Sequence, residues 1–284
     1  MNDIALVTDS TAYIPPALIG QYAITVAPLV LIWGDKVYRD GVDIQPDEFY
    51  TQLKSAKAMP TTSQPSAEAM RDIFKPLVEG GSHVLGVFIS EKLSGTMRSA
   101  VQAREELGSA GDKVTVVDSN ACAMAAGFQV LAAAKAAAAG ASIRECAELV
   151  ERCRDHVGVY FAVDTLEFLH RGGRIGGATR FIGSALNLKP ILALRDGRVE
   201  AEDRVRTKSK ALDRVLELVS TQVSGKGNVR LATVHANAEA EAKELLDKAS
   251  KELGAIETML AAVSPVVGAH AGPGTVGLCY MAGI

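Results

Sequence analysis

The chain has 284 residues, 48% hydrophobic and 22% charged, with a formal net charge of −3. At roughly 150 residues per domain this length suggests two domains, each able to bury a core without disulfides or metals. The slightly acidic balance excludes a global positive field for nucleic acid or anionic lipid, so membrane contact is expected to be transient at most.

In chain order, MNDIALVTDS lacks the basic segment and apolar core of a signal peptide. A cytoplasmic protein is expected. IALV at 4–7 reads as a short apolar strand running into Asp9, Ser10 and Thr11. PTTSQPS at 60–66 is a hydroxyl-rich stretch fixed by Pro60 and Pro65, and its simplest reading is a surface turn. HVLGVFIS at 83–90 is a second strand, followed by EKLSGT and the helical MRSAVQAREEL. KVTVVDS at 113–119 is a third, leading into ACAMAAGFQVLAAAKAAAAG at 121–140. That run is mostly alanine, with Gln129 and Lys135 inside it. It reads as a close-packed buried helix ended by Gly140 rather than a membrane span. Continuous apolar strands alternating with helices predict a parallel sheet covered on both faces. Ligands bind such sheets outside the C-terminal strand edge, where these hydroxyls and acids collect. SIRECAELVERCRDH begins with a capping box, Ser142 and Glu145.

The first domain is expected to close near His156, giving an N-terminal α/β domain over 1–157 and a C-terminal α+β domain over 158–284. In the latter, GVYFAVDTL reads as a strand, Asp196-Gly197 as a hairpin turn, and 208–222 as a helix. NVRLATVHAN is a strand and EAEAKELLDKASKEL a charged amphipathic helix, with MLAAVSPVV and TVGLCYMAG as closing strands.

The G-x-G-x-x-G from Gly272 to Gly277 lacks the following helix that a dinucleotide site requires. No Walker motif, H-E-x-x-H or G-x-S-x-G is present, so neither a nucleotide nor a metal cofactor is expected. Cys122, Cys146, Cys153 and Cys279 form no C-x-x-C pair and read as buried, reduced thiols. Ser94-Gly95-Thr96 lies where a strand-to-helix turn would offer free N–H groups to an anion, or where Ser94 simply caps the helix. HRGGRIGG carries Arg171 and Arg174, suited to a carboxylate or phosphate or to a solvated loop.

VTDSTAYIP, PTTSQPS, SEKLSGT, VVDS, LHRGGRI, KPIL followed by DGRV, VRTKSKAL and GAHAGPGTVG occur in one order from Asp9 to Gly277. Together they resemble the DegV family, whose members include fatty-acid-binding subunits of bacterial fatty acid kinase. The resemblance implies a two-domain α/β fold with a long-chain fatty acid buried between and within the domains. It implies carboxylate contacts from Ser94, the Gly95 N–H, Thr62 and His270, with His270 projecting from a tight turn of small residues. It also implies a carrier rather than an enzyme, offering the carboxylate to an ATP-binding kinase subunit, with Arg174 and Arg206 in the docking surface. Two alternatives stay open: an enzyme acting on an acyl or phosphoryl group through Ser94, Thr62 and His270, or a lipid-sensing regulatory protein.

Overall fold

In a computed structural model, which describes residues 4–56, 58–183 and 188–284, the first strand β1 (Ile4–Asp9) turns Leu6 and Val7 into two different cores. That alternation sets the architecture of the first half. After α1 (Pro16–Gln21) and β2 (Thr25–Ala27), the chain makes an excursion through β3 (Val30–Trp33), β4 (Lys36–Arg39), α2 (Pro46–Leu53) and β5 (Thr61–Ser63). Strands β3, β4 and β5 form a small antiparallel sheet in the order β4-β3-β5, with Leu31 opposite Thr62. The chain then continues through α3 (Ala67–Glu79), β6 (His83–Phe88), α4 (Thr96–Glu106), β7 (Val114–Asp118), α5 (Met124–Ala138) and α6 (Ile143–Cys153).

Strands β2-β1-β6-β7 lie parallel in one sheet. On one face Met70 and Phe74 of α3 and Ala100 and Ala103 of α4 pack on Val7, Val84 and Phe88. On the other, Phe128, Leu131, Cys146 and Val150 of α5 and α6 pack on Leu6, Leu85 and Val87. The predicted strands at 4–7, 83–90 and 113–119 therefore form one parallel sheet with helices on both faces.

The second half runs through β8 (Val157–Ala162), α7 (Glu167–Arg171), β9 (Lys189–Arg195), β10 (Arg198–Val205), α8 (Lys208–Val223), β11 (Arg230–His235), α9 (Glu239–Leu253), β12 (Glu257–Ala262), α10 (Pro265–Ala271) and β13 (Val276–Met281). Its sheet is mixed, in the order β10-β9-β8-β13-β11-β12, and only β11 and β12 pair in parallel. Helices α8 and α9 cover one face, where Val215, Val219 and Leu245 meet Tyr160, Leu231 and Leu278. The opposite face carries Val159, Ala232, Val234, Cys279 and Met281, which share a core with α5. Alanines dominate α5 because it touches both sheets, β1 and β6 on one side and β8 and β13 on the other. Small side chains let backbones approach closely.

Local predictions about caps and turns hold. The Ser142–Glu145 capping box is formed, and Asp196 and Gly197 turn the β9–β10 hairpin at φ 47° and 73°. Three expectations change. PTTSQPS contains a strand, β5, rather than a plain surface turn. MLAAVSPVV is not one strand: β12 stops at Ala262, and Pro265 opens α10, where its fixed φ suits a first helical position. His270 consequently sits in the last turn of a short helix, not in a loop of small residues.

Candidate ligand-binding site

The segments leaving the C-terminal ends of β1, β6 and β7 face the second sheet across a cavity of about 930 Å³, mouth included. Its walls are mostly aliphatic: Leu29, Ile89, Leu93, Val159, Leu169, Leu194, Val234 and Val263 among them. The polar groups in the lining include Thr62, Ser63, Gln64, Ser94, Arg174 and His270.

Ser94 closes the turn between β6 and α4. Its N–H bonds the Ser90 carbonyl at 3.1 Å, its hydroxyl shares a 2.9 Å hydrogen bond with Thr96 Oγ1, and it accepts the Thr96 N–H at 3.3 Å. The N-cap of α4 is Gly95, not Ser94. N–H groups in the first turn of α4 have no intrahelical acceptor, which suits an anion there. Gly95 packs closely on Gln64: a Cβ on it would lie 2.8 Å from the side-chain amide carbon of Gln64. The two hydroxyl-rich stretches, PTTSQPS and SEKLSGT, are thus pressed together.

Thr62, on β5, shares a 2.7 Å hydrogen bond between its Oγ1 and His270 Nε2. Burial, helped by the nearby Arg174 charge, pulls the His270 pKa down to about 4, so the ring is neutral at pH 7. Its Nδ1 is buried without a hydrogen-bond partner among the described residues. Gly172 lies over that nitrogen, and a Cβ there would overlap the imidazole. One glycine of HRGGRIGG is therefore explained by the ring it admits.

Arg174 is half-buried and bridges the two halves, its Nε donating to the Leu93 carbonyl at 3.1 Å and its Nη1 to Gly172 O at 2.7 Å. Arg206 is not beside it. It is exposed and lines a separate surface hollow with Asp164, His170, Lys189 and Arg204. The structure thus gathers Thr62, Ser94, Arg174 and His270 around one cavity, with Gly95 next to Ser94 but not in the lining, and leaves Arg206 outside it.

Sequence reasoning missed part of the lining. Thr11, Tyr13, Cys122 and Ala123 also face the cavity. Tyr13 and Ala123 hold positive φ, 54° and 56°, a strain of about 1–3 kcal/mol each that only surrounding structure can maintain. Burial, with the nearby Asp9 charge adding to it, pushes the Cys122 thiol up to about 12. All four cysteines are free and buried, as predicted. Among the described residues no group of three or more His, Cys, Asp or Glu side chains could hold a metal. No helix there is long and apolar enough to cross a membrane.

The fold is thus an α/β parallel sheet and a mixed second sheet around a mostly apolar cavity with hydroxyl, imidazole and guanidinium groups in its wall. The family model described as "Uncharacterised protein, DegV family" matches residues 3–283, and the chain belongs to the DegV family. A DegV domain-containing protein of Streptomyces coelicolor is 38% identical over 277 residues, 97% of each chain. Protein DegV of Bacillus subtilis is 34% identical over 281 residues, 98% of this chain and 99% of its own. Among solved structures, a fatty-acid-binding DegV family protein of Thermus thermophilus superposes with a TM-score of 0.93 at 38% identity, covering 99% of both chains. The fatty-acid-binding DegV of Bacillus subtilis gives 0.90 at 33%, covering 99% of this chain and 100% of that one. A stearic acid-binding protein of Eubacterium ventriosum gives 0.91 at 25%, covering 98% of both.

Proposed function

We propose that the chain binds one long-chain fatty acid in this cavity and acts as a carrier, not an enzyme. The carrying observation is the convergence of Thr62, Ser94 and His270 on a mostly aliphatic cavity, in a fold whose structural relatives bind fatty acids. A carboxylate leaving water needs donors in place of its hydration shell. Ser94, the Gly95 N–H and the Thr62 hydroxyl supply them, and the aliphatic walls take the tail. His270 contributes through Thr62, donating its Nε2–H to Thr62 Oγ1 and so leaving the Thr62 hydrogen for the carboxylate. In this reading the domains 1–157 and 158–284 enclose the ligand in the cytoplasm. The carboxylate is offered to an ATP-binding kinase subunit that makes the acyl phosphate. Arg206, in its separate hollow, serves docking alone. Arg174 lines the cavity, so its loss is expected to touch ligand affinity as well as docking.

The Thr62–His270 contact has the reach of a nucleophile–base pair. A working pair also needs a group that orients the base, and His270 Nδ1 has no such partner among the described residues. This supports the carrier over the enzyme. Mass spectrometry of lipid co-purifying with the untreated protein, followed by calorimetry with acids of increasing length, tests the reading. Each buried methylene contributes about 0.8 kcal/mol, so affinity should rise steeply from butyrate towards palmitate, and palmitate should outbind its methyl ester. Equal affinity for butyrate and palmitate would overturn an acyl cavity. Turnover of an acyl ester or acyl phosphate by the chain alone would replace the carrier with an enzyme.

A further inference from the structure

Helix α10 carries His270 but does not cap itself. Its N-cap residue, Ser264, makes no side-chain capping bond. The Ser264 backbone N–H donates instead to Tyr13 Oη at 3.1 Å, and the two hydroxyls lie 3.3 Å apart. The N–H of Val266, in the first turn of the helix, donates to Asp40 Oδ1 at 3.0 Å from 226 positions away.

Asp40 follows β4 and is 1% exposed. Its own N–H bonds the Leu29 carbonyl at 2.8 Å, and its Oδ2 accepts the Ser10 hydroxyl at 2.6 Å. Ser10 in turn accepts the Leu29 N–H at 3.1 Å. The carboxylate is therefore fixed by the end of β1 and by the small sheet before it meets α10. Burial raises its pKa, and the bonds from Ser10, Val266 and Ser264 oppose that rise. A buried acid of this kind is retained at a cost that simple packing would not require.

Val266 and His270 are four residues apart, so they lie on one helical face. Helix α10 is seven residues long. Fixing its first turn therefore fixes the height and rotation of the imidazole. Asp40 itself is not in the cavity wall; it lines a different depression with Asp9, Ser10 and Tyr13.

We propose that Asp40 is a positioning residue for the head-group site: its carboxylate, braced by Ser10, seats α10 and thereby sets the Thr62–His270 hydrogen bond without touching the ligand. The proposal rests on the fatty-acid reading for its affinity arm only.

The test is a double-mutant cycle of Asp40→Ala and His270→Ala. Its readouts are palmitate affinity by calorimetry and the ¹⁵N resonance of His270 Nε2 in ligand-free protein, assigned by its loss in His270→Ala. Asp40→Ala should weaken palmitate binding about tenfold when His270 is present and at most about twofold when it is absent. The Nε2 resonance should move as the Thr62 bond loosens. Asp40→Asn should restore most of both signals, because an amide oxygen still accepts the Val266 N–H. An equal loss of affinity in both backgrounds, or an unmoved Nε2 resonance, overturns the proposal. Should Asp40→Ala not fold, Ser10→Ala leaves the acid in place but unbraced; a moved resonance then supports the proposal and an unmoved one overturns it. If His270→Ala alone leaves palmitate affinity unchanged, the head-group reading fails, while the imidazole resonance still decides the role of Asp40.

Discussion

The cavity has two polar walls, held in opposite ways. The bonds of Ser94 itself are local, joining it to Ser90 and Thr96 within one turn, and that turn is tied to the rest by Ser90 N–H to the Ala121 carbonyl and by Arg174 to the Leu93 carbonyl. The His270 wall is assembled from a distance. Asp40, Tyr13 and Tyr50 hold the start of α10 from more than 200 positions away, Tyr50 Oη donating to the Val263 carbonyl at 3.1 Å. By sequence α10 belongs with the second half, yet it packs on β3, β5 and α2 of the first as well as on α7. A hydroxyl whose own bonds lie within one turn is less sensitive to change elsewhere in the molecule. A wall built from remote contacts reports on the whole fold.

Acid should expose the second wall. The His270 pKa lies at about 4 in the folded protein against 6.5 for a free imidazole. The unfolded chain therefore binds the extra proton first, so His270 contributes to stability fully above pH 6.5 and loses that contribution as pH falls towards 4. The loss is of the order of 3 kcal/mol at its limit. Asp9 and Asp40, whose carboxyls burial pushes up, titrate with the opposite sign. Urea unfolding from pH 7 to 4 should therefore show a shallower decline in His270→Asn than in the unaltered protein. Identical slopes would mean that the ring is not buried as described.

Ser94→Ala tests the local wall. Removing a charge-assisted hydrogen bond of about 1.5–3 kcal/mol should cut palmitate affinity by roughly ten- to 150-fold. The melting temperature should stay close to that of the unaltered protein, since only one turn is involved. A large fall in melting temperature with affinity intact would reverse the assignment.

Tyr50→Phe tests the distant wall with the smallest change. It removes only the hydroxyl that donates to Val263, at a cost of about 0.5–1.5 kcal/mol in urea unfolding. Unlike Ser94→Ala, it should weaken stability and palmitate affinity together, because α10 loosens. Loss of stability with unchanged affinity would show that α10 does not need this contact to present His270.

The same contrast explains what was legible in the sequence. Strand periodicity, the Ser142 capping box and the Asp196-Gly197 turn are short-range signals, and they appear where residues adjacent in sequence are adjacent in space. The Ser94 turn was visible for that reason. The helical setting of His270 was not, because MLAAVSPVV reads as a strand and the small residues around His270 as a turn, and the contacts of Asp40 and Tyr13 with Val266 and Ser264 are remote in sequence. Gly172 showed only as a glycine and Gly95 only as an N–H that the family resemblance implies; their close approach to His270 and Gln64 exists only in three dimensions. Joint motif order identified the family, but short motifs carry no information about which segments meet.

The seating of α10 on the first half has a consequence for biosynthesis. Domains tend to fold as they leave the ribosome, N-terminal part first, at about 5–20 residues per second. Here the parallel sheet can form once α6 has emerged, but the socket made by Tyr50, Asp40 and β5 has no occupant until residue 271 has been synthesised. Until then Leu29 and Ile89, which line the cavity in the finished fold, lack the α10 residues Val266, Val267 and His270 that share that lining.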